Sequence, residues 1–235
     1  MTNTACVLIT GTSKGLGLAL ARSYLNAGEH VVGCSRGAST ITHERYQHHE
    51  IDVSSEAQVA RMFSQMREAK LLPRLLINNA ALAQTSLATF TKAQSAQELL
   101  NVNLFGAFLV CKEAIRLMQR HRFGRIVNLT SINVPLASVG SSLYNASKAG
   151  LDALGHSLAV ECKDYDITVN SLGLSLVAQT GMADSLDESA IAAKRAHLLK
   201  PKLLETTEIV AAINFFASAD ARNITGQLLY FGGVR

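Results

Sequence analysis

An apolar run, Ala5–Thr10, stops at the glycine-rich turn Gly11-Thr-Ser-Lys-Gly15-Leu-Gly17, and an amphipathic stretch, Leu16–Ala27, continues straight from it. A strand that passes into a helix through three glycines leaves few folds open. Glycines carry no Cβ, so backbone N–H groups at the helix start can approach an anion, which the positive end of the helix dipole also favours. The spacing is G-x-x-x-G-x-G, one step looser than the G-x-G-x-x-G fingerprint of dinucleotide sites, and the same physics applies. Gly11, Ser13, Lys14, Gly15, Leu16 and Gly17 are the expected phosphate-facing residues. A tight turn without a ligand would use the same glycines; the flanking strand and helix favour the nucleotide.

The next strand, His30–Ser35, ends in Gly33-Cys-Ser-Arg36. An acidic residue at this place would hold the ribose 2′-OH of NAD. The chain offers Arg36 instead, and a guanidinium suits a 2′-phosphate. With Ser35 and Lys14 beside it, the pattern predicts NADPH/NADP+ over NAD; a solvated loop charge is the competing reading. A third strand, Tyr46–Val53, places Asp52 and Val53 where an adenine would lie. His43, His48 and His49 have no cysteine or carboxylate cluster around them, so a surface loop is expected and no metal site. After a helix over Ser55–Leu71, the strand Leu75–Asn78 runs into Asn78-Asn79-Ala80-Ala81, small residues that let backbone lie against a ligand.

A second constellation follows the apolar run Arg125–Leu129. Ser131 stands at its end, and Tyr144 and Lys148, four apart at the start of a helix over Tyr144–Lys163, share one helix face. An ammonium beside a phenol favours the phenolate and is expected to lower the Tyr144 pKa toward neutrality, where a phenol can exchange protons. The Ser131 hydroxyl could hold a carbonyl near it. Asn103 lies in a helix over Ala96–His121 whose apolar residues exceed one sheet-facing stripe, which predicts a subunit interface there and on the Tyr144 helix. A buried amide must be hydrogen-bonded, so Asn103 is either a brace or part of a polar site. A strand at Ile167–Leu172, a loop to Thr180, a lid over Gly181–Pro201, a helix at Thr207–Ser218 and a strand at Gln227–Phe231 complete the chain.

With 235 residues, 48% hydrophobic and 17% charged, and no linker or repeat, the chain suits one α/β domain spanning residues 1–235. A net charge of +4 favours an anionic ligand, and the absence of an aromatic-rich basic stripe argues against nucleic acid. No apolar run is long enough for a membrane span, and the start reads as a first strand rather than a signal peptide, so a cytoplasmic location is expected. Cys6, Cys34, Cys111 and Cys162 show no metal or pairing pattern and read as buried free thiols.

Together these residues resemble the short-chain dehydrogenase/reductase family over essentially the full length, most nearly the 3-oxoacyl-[acyl-carrier-protein] reductases. The matching elements are Thr10–Gly17, Asn78-Asn79-Ala80, Asn103, Gly124-Arg-Ile-Val127, Ser131, Tyr144-x-x-x-Lys148, Ile167-Thr-Val-Asn170 and Ile224-Thr-Gly226. The resemblance implies a Rossmann-type, doubly wound, parallel seven-stranded sheet and a homotetramer, with a dimer as the smaller alternative. It also implies Tyr144 as proton donor, Lys148 on the nicotinamide ribose, Ser131 on the substrate carbonyl, Asn103 holding a water in a proton relay, and Thr180 near the nicotinamide. Three places depart from the family pattern: Ala81 replaces a glycine, Leu174-Ser175 replaces Pro-Gly, and Phe231-Gly-Gly233 lacks a polar residue before its glycines. The implied activity is NADPH-dependent reduction of a β-ketoacyl thioester. The alternatives are a reductase or dehydrogenase of a secondary-metabolite, sugar or alicyclic alcohol, and a non-catalytic NADP-binding sensor or scaffold. Arg120, Arg122 and Arg125 with Lys194, Arg195 and Lys200 would give an acidic carrier protein a docking rim, unless they are scattered solvated charges.

Overall fold

Strands β1 (Thr4–Thr10), β2 (His30–Ser35), β3 (Tyr46–Glu50), β4 (Leu71–Asn78), β5 (Phe123–Ser131), β6 (Asp166–Leu174) and β7 (Leu228–Tyr230) alternate with helices in the computed structural model, which describes residues 3–178, 192 and 195–233. The helices are α1 (Gly15–Asn26), α2 (Glu56–Glu68), α3 (Ala93–Leu100), α4 (Ala107–His121), the short α5 (Asn133–Leu136), α6 (Ser142–Glu161) and α7 (Thr206–Ala217). The seven strands form one sheet in the order β3-β2-β1-β4-β5-β6-β7, and every pairing is parallel.

Parallel strands joined by helical crossovers are covered on both faces, so they read as continuous apolar runs. In β1, Cys6 and Leu8 join Met62, Phe63, Val110 and Met118 of α2 and α4 on one face. Val7 and Ile9 join Leu20 of α1 and Ile209, Ile213 and Phe216 of α7 on the other. This is the period-2 alternation of a strand sandwiched between two helical layers. The chain leaves β1 toward β2 and β3, then returns on the opposite side of β1 with β4. That reversal opens a crevice at the carboxyl ends of β1 and β4, the place where such sheets hold ligands.

Several boundaries differ from expectation. The predicted 96–121 helix is interrupted by a π-helical turn, Asn101–Gly106, between α3 and α4; Gly106 packs so tightly on Val53 that a Cβ there would come within 2.8 Å of its Cγ2. Strand β4 starts at Leu71, beside Thr4, rather than at Leu75. Strand β6 runs two residues past Leu172, so that Leu174 pairs with Ser131. A leucine carries the N–H that proline lacks, so the strand has no reason to stop there. Ala81 is not among the positive-φ residues, so replacing the family's glycine costs the backbone nothing.

The histidine and arginine readings need correction. The third strand is present, three residues shorter than Tyr46–Val53, and His48 and His49 lie within it rather than in a surface loop: His49 is buried against Gln65, and His48 bridges Tyr46 and Ser35. Among the described residues no group of His, Cys, Asp or Glu could hold a metal ion. Arg125 is 1% exposed, with its guanidinium on the Asp166 carboxylate at 2.8 Å and over the Phe123 ring. It sits near the start of β5, about 20 Å along the strand from Ser131 at its end. Arg120 and Arg122 flank the same end of the sheet, so these three arginines cannot share a rim with Arg195 and Lys200; Lys194 lies outside the described residues. All four cysteines are free and buried, as expected, and burial pushes the thiols of Cys6, Cys34 and Cys111 up to about 12. No helix among the described residues is long and apolar enough to cross a membrane.

Candidate active site

The crevice is a cleft of about 890 Å³. One end is walled by Gly11, Ser13, Lys14, Gly15, Leu16 and Gly17, followed by Ser35, Arg36, Asp52 and Val53. The other holds Ser131, Tyr144 and Lys148, with Asn79 and Ala80 between the two ends. Residues from six separate stretches, assembled by the strand ends, thus line one space.

The glycine turn is built for close approach. Gly11 and Gly15 take left-handed backbone (φ 78° and 57°), and a Cβ on Gly17 would meet the Gly11 carbonyl oxygen at 2.1 Å. Around Gly15 nothing lies within 4 Å of where a Cβ would stand. Helix α1 has no side-chain cap at its N-terminus. Gly15, Leu16 and Gly17 at its start line the cleft, and the uncapped first turn of a helix suits a pyrophosphate. Asn79 locks the turn from the neighbouring strand. Its Nδ2 donates to the Thr10 carbonyl at 2.8 Å, while Thr10 Oγ1 accepts the N–H groups of Asn79 and Ala80 at 3.0 and 2.9 Å. Thr10, whose bridging role has no signal in the sequence, ties β1 to the end of β4 in this way.

At the far end of the turn Arg36 reaches the Glu98 carboxylate at 3.3 Å, with both side chains more than half exposed. Such a pair is weak and exchangeable, which leaves the guanidinium able to take an anion. Ser35 is buried and bonded to the Gly37 carbonyl. Asp52 Oδ1 accepts the N–H and the hydroxyl of Ser54 at 2.9 and 2.7 Å, which fixes the carboxylate at the cleft edge.

Tyr144, Ser131 and Lys148 are all buried. Burial pushes the Tyr144 phenol above its usual 10, and the Ser131 hydroxyl, in hydrogen-bonding reach, draws it back. Lys148 does not acidify the phenol here, contrary to expectation. Its ammonium donates to the Leu129 carbonyl at 2.7 Å and stands 5.9 Å from the Tyr144 ring centre. Burial also brings the Lys148 pKa down to about 8, so the charge that was to favour a phenolate is itself weakened. Asn103 is a brace: its Oδ1 accepts the Leu82 N–H at 2.7 Å, and its Nδ2 donates to the Leu82 carbonyl at 2.9 Å and to Ser147 Oγ at 3.1 Å. It does not line the cleft.

Beyond Tyr144 the cleft wall is mostly apolar, with Leu82, Ile132, Leu136, Leu174, Val177 and Leu198. The Leu198 segment is held by the C-terminal glycines, through Leu199 N–H to the Gly233 carbonyl and Lys200 N–H to that of Gly232. Leu198 lies in the predicted 181–201 lid, of which residues 181–191, 193 and 194 fall outside the described residues, as does Thr180. Gln84 also lines this end and had no signal in the sequence, because it sits in a loop without periodicity.

The chain is 29% identical over 232 residues to the 3-oxoacyl-[acyl-carrier-protein] reductase FabG of Rickettsia bellii (strain RML369-C), covering 96% of this chain and 94% of that one. The solved structure of ElxO with NADP bound superimposes with a TM-score of 0.85 at 27% identity, over 98% of this chain and 97% of the other. A 4-hydroxyisoleucine dehydrogenase complexed with NADH has the same fold, with a TM-score of 0.87 at 24% identity and 98% of each chain covered. Residues 5–190 match the family described as short chain dehydrogenase, with the glycine turn and the Ser131, Tyr144, Lys148 cluster on opposite ends of one cleft, and the chain belongs to that family.

Proposed function

We propose that the protein is an NADPH-dependent ketoreductase whose substrate is a β-ketoacyl thioester. The observation that carries this reading is the cleft itself: an open glycine turn and Arg36 at one end, a buried hydroxyl pair and an apolar pocket at the other. The residues present suit a nicotinamide dinucleotide with a 2′-phosphate, which supplies the hydride when bound. Gly11–Gly17 would receive the pyrophosphate, Arg36 and Lys14 the 2′-phosphate, Asp52 and Val53 the adenine, and Asn79, Ala80, Lys148 and Thr180 the nicotinamide half. Ser131 holds the substrate carbonyl by a hydrogen bond, and Tyr144, protonated at neutral pH, delivers a proton to its oxygen. The apolar wall excludes water and accepts an acyl chain, and curated relatives carrying the 3-oxoacyl-[acyl-carrier-protein] reductase name support that class.

A second reading, a reductase or dehydrogenase of a secondary-metabolite, sugar or alicyclic alcohol, is favoured by the extension of β6 to Leu174 and the apolar Leu176–Val177 wall that follows, where the family pattern has Pro-Gly. Arg120, Arg122 and Arg125, at the far end of β5, add nothing to a carrier-docking rim beside the pocket. The test is a carbonyl panel followed at the nicotinamide absorbance: acetoacetyl-pantetheine, its carrier-bound form, free ketones and sugars. Thioester turnover is expected; turnover confined to free ketones or sugars would move the protein to the second reading, and binding without turnover to a sensor or scaffold. A cytoplasmic location and a homotetramer, or a dimer, accompany the proposal. The stacked, half-exposed Phe105–Phe108 pair and exposed Val160 support a subunit contact.

Arg36→Asp tests the cofactor assignment. Loss of a charge-assisted contact, worth about 1.5–3 kcal/mol, predicts a fall of about 10–100-fold in kcat/KM for NADPH, with NADH little changed. An unchanged NADPH/NADH ratio would remove Arg36 from the 2′-phosphate site.

A further inference from the structure

The N-terminus of α6 has no cap from its own residues: Ser141 makes no side-chain cap bond. The cap comes from Gln84, in the loop after β4. Its Oε1 accepts the backbone N–H groups of Leu143 and Tyr144, at 3.1 and 3.3 Å. Its Nε2 donates to Thr91 Oγ1 at 2.7 Å and to the Ser86 carbonyl at 3.2 Å. Donors surround one end of the amide and acceptors the other, so its orientation is fixed by its partners. The loop is fastened to the same helix start a second time, by Ser86 N–H on the Gly140 carbonyl at 3.0 Å.

On the other side, the Tyr144 carbonyl accepts from Ser147 Oγ at 2.7 Å, and that hydroxyl is in turn held by Asn103, which also grips Leu82 two residues before Gln84. The backbone of Tyr144 is therefore clamped at both its N–H and its C=O, and both grips lead back to the 82–84 loop, which is also a wall of the pocket.

We infer that Gln84 is a positioning residue for Tyr144: it caps α6 from the pocket wall and thereby sets where the phenol stands relative to a bound carbonyl. The inference rests on the ketoreductase reading for its kinetic consequence, and on geometry alone for the clamp. Leucine at 84 keeps the wall apolar and similar in size but leaves two first-turn N–H groups without their acceptor. Glutamate keeps the acceptor, and a carboxylate is welcome at a helix N-terminus. It gives up the Nε2 donor to Ser86 and Thr91, so it separates the cap from that second grip.

Gln84→Leu should lower kcat about 10–100-fold, since misplacement by about 1 Å is worth that much, while the Kd for NADPH stays within about twofold. Gln84→Glu should recover kcat to within about threefold of the parent, because the cap is restored. Hydrogen exchange at the Leu143 and Tyr144 amides should quicken in Gln84→Leu and not in Gln84→Glu. If Gln84→Leu misfolds, Gln84→Met, which keeps the unbranched reach of the side chain but offers the helix start no oxygen, should lower kcat in the same sense. Equal kcat in parent and Gln84→Leu, equal losses in the leucine and glutamate variants, or a loss that only tracks the folded fraction would each overturn the inference. A parent that turns over no carbonyl would sink the ketoreductase reading instead, and the amide exchange would still decide the clamp.

Discussion

Tyr144→Phe is expected to lower kcat by at least about 10³-fold while the Kd for NADPH moves less than about twofold, the size of effect that general acid catalysis supports. The phenol is the group in the apolar end of the cleft with a proton to give: Ser131 is a poor acid, and the Lys148 ammonium is turned to the Leu129 carbonyl. Phenylalanine keeps the ring packing and removes one oxygen, so fold and cofactor site should survive. The Tyr144 pKa, raised by burial, adds a direction. A phenol above its usual 10 is protonated throughout the neutral range, which is the form needed to protonate a carbonyl oxygen. Reduction should therefore be nearly flat from pH 6 to 8, whereas alcohol oxidation, which needs the deprotonated phenol, should climb with pH. Rapid-mixing kinetics in both directions, with cofactor binding measured by nicotinamide fluorescence, checks this. Full activity in the phenylalanine variant would remove Tyr144 from the chemistry.

Much of this site was legible before any coordinates, because its signals are local. Gly11–Gly17 is a contiguous turn, and Tyr144 and Lys148 are one helical turn apart; spacing alone brings each set together. What stayed hidden depends on partners distant in sequence. Gln84 caps a helix about sixty positions later, and nothing at position 84 announces it. Arg125 looks like a surface charge until Asp166, on the neighbouring strand, is seen to pair with it. The third strand itself was legible, but the partners of His48 and His49 were not: Ser35 lies on the neighbouring strand and Gln65 on the following helix. The electrostatics of Tyr144 failed for a related reason. Helical spacing places a lysine near a phenol but cannot say where the ammonium points, and a strand carbonyl took it.

Cofactor recognition and proton delivery use opposite physical means at the two ends of the cleft. Around Gly15 and Arg36 the groups are exposed or open, so an anion can exchange with solvent and with Glu98. Around Tyr144 they are buried, and its backbone is held at both N–H and C=O, so little reorganisation is needed when the carbonyl arrives. The loop 82–84 joins the braced end to the substrate wall, which makes the wall and the acid one mechanical unit.

Lys148 shows what that burial costs. Replacing it with methionine should raise the thermal stability of the cofactor-free protein and abolish turnover. Holding an ammonium where its pKa falls from 10.5 to about 8 costs about 3 kcal/mol below pH 8. Methionine removes that cost and forfeits the bond to the Leu129 carbonyl, worth about 1.5–3 kcal/mol for a charged donor. The net gain is about 1 kcal/mol, or roughly 2–4 °C in Tm for a domain of this size. The pH dependence fixes the sign. The unfolded chain binds a proton at Lys148 that the folded one has released between pH 8 and 10.5, so parent stability gains from this group as pH rises through that window. The buried thiols, raised from 9.0 to about 12 in Cys6, Cys34 and Cys111, act the other way above pH 9, and they do so in both proteins. Subtracting the two stability curves leaves Lys148 alone: the advantage of Lys148→Met should be largest below pH 8 and gone by pH 10.5, where the parent regains its lost ground. Chemical denaturation at pH 7, 8, 9 and 10.5 measures it. A lysine that contributes nothing but structure would give a methionine variant less stable at every pH, and that result would mean the protein keeps no strained charge for its chemistry.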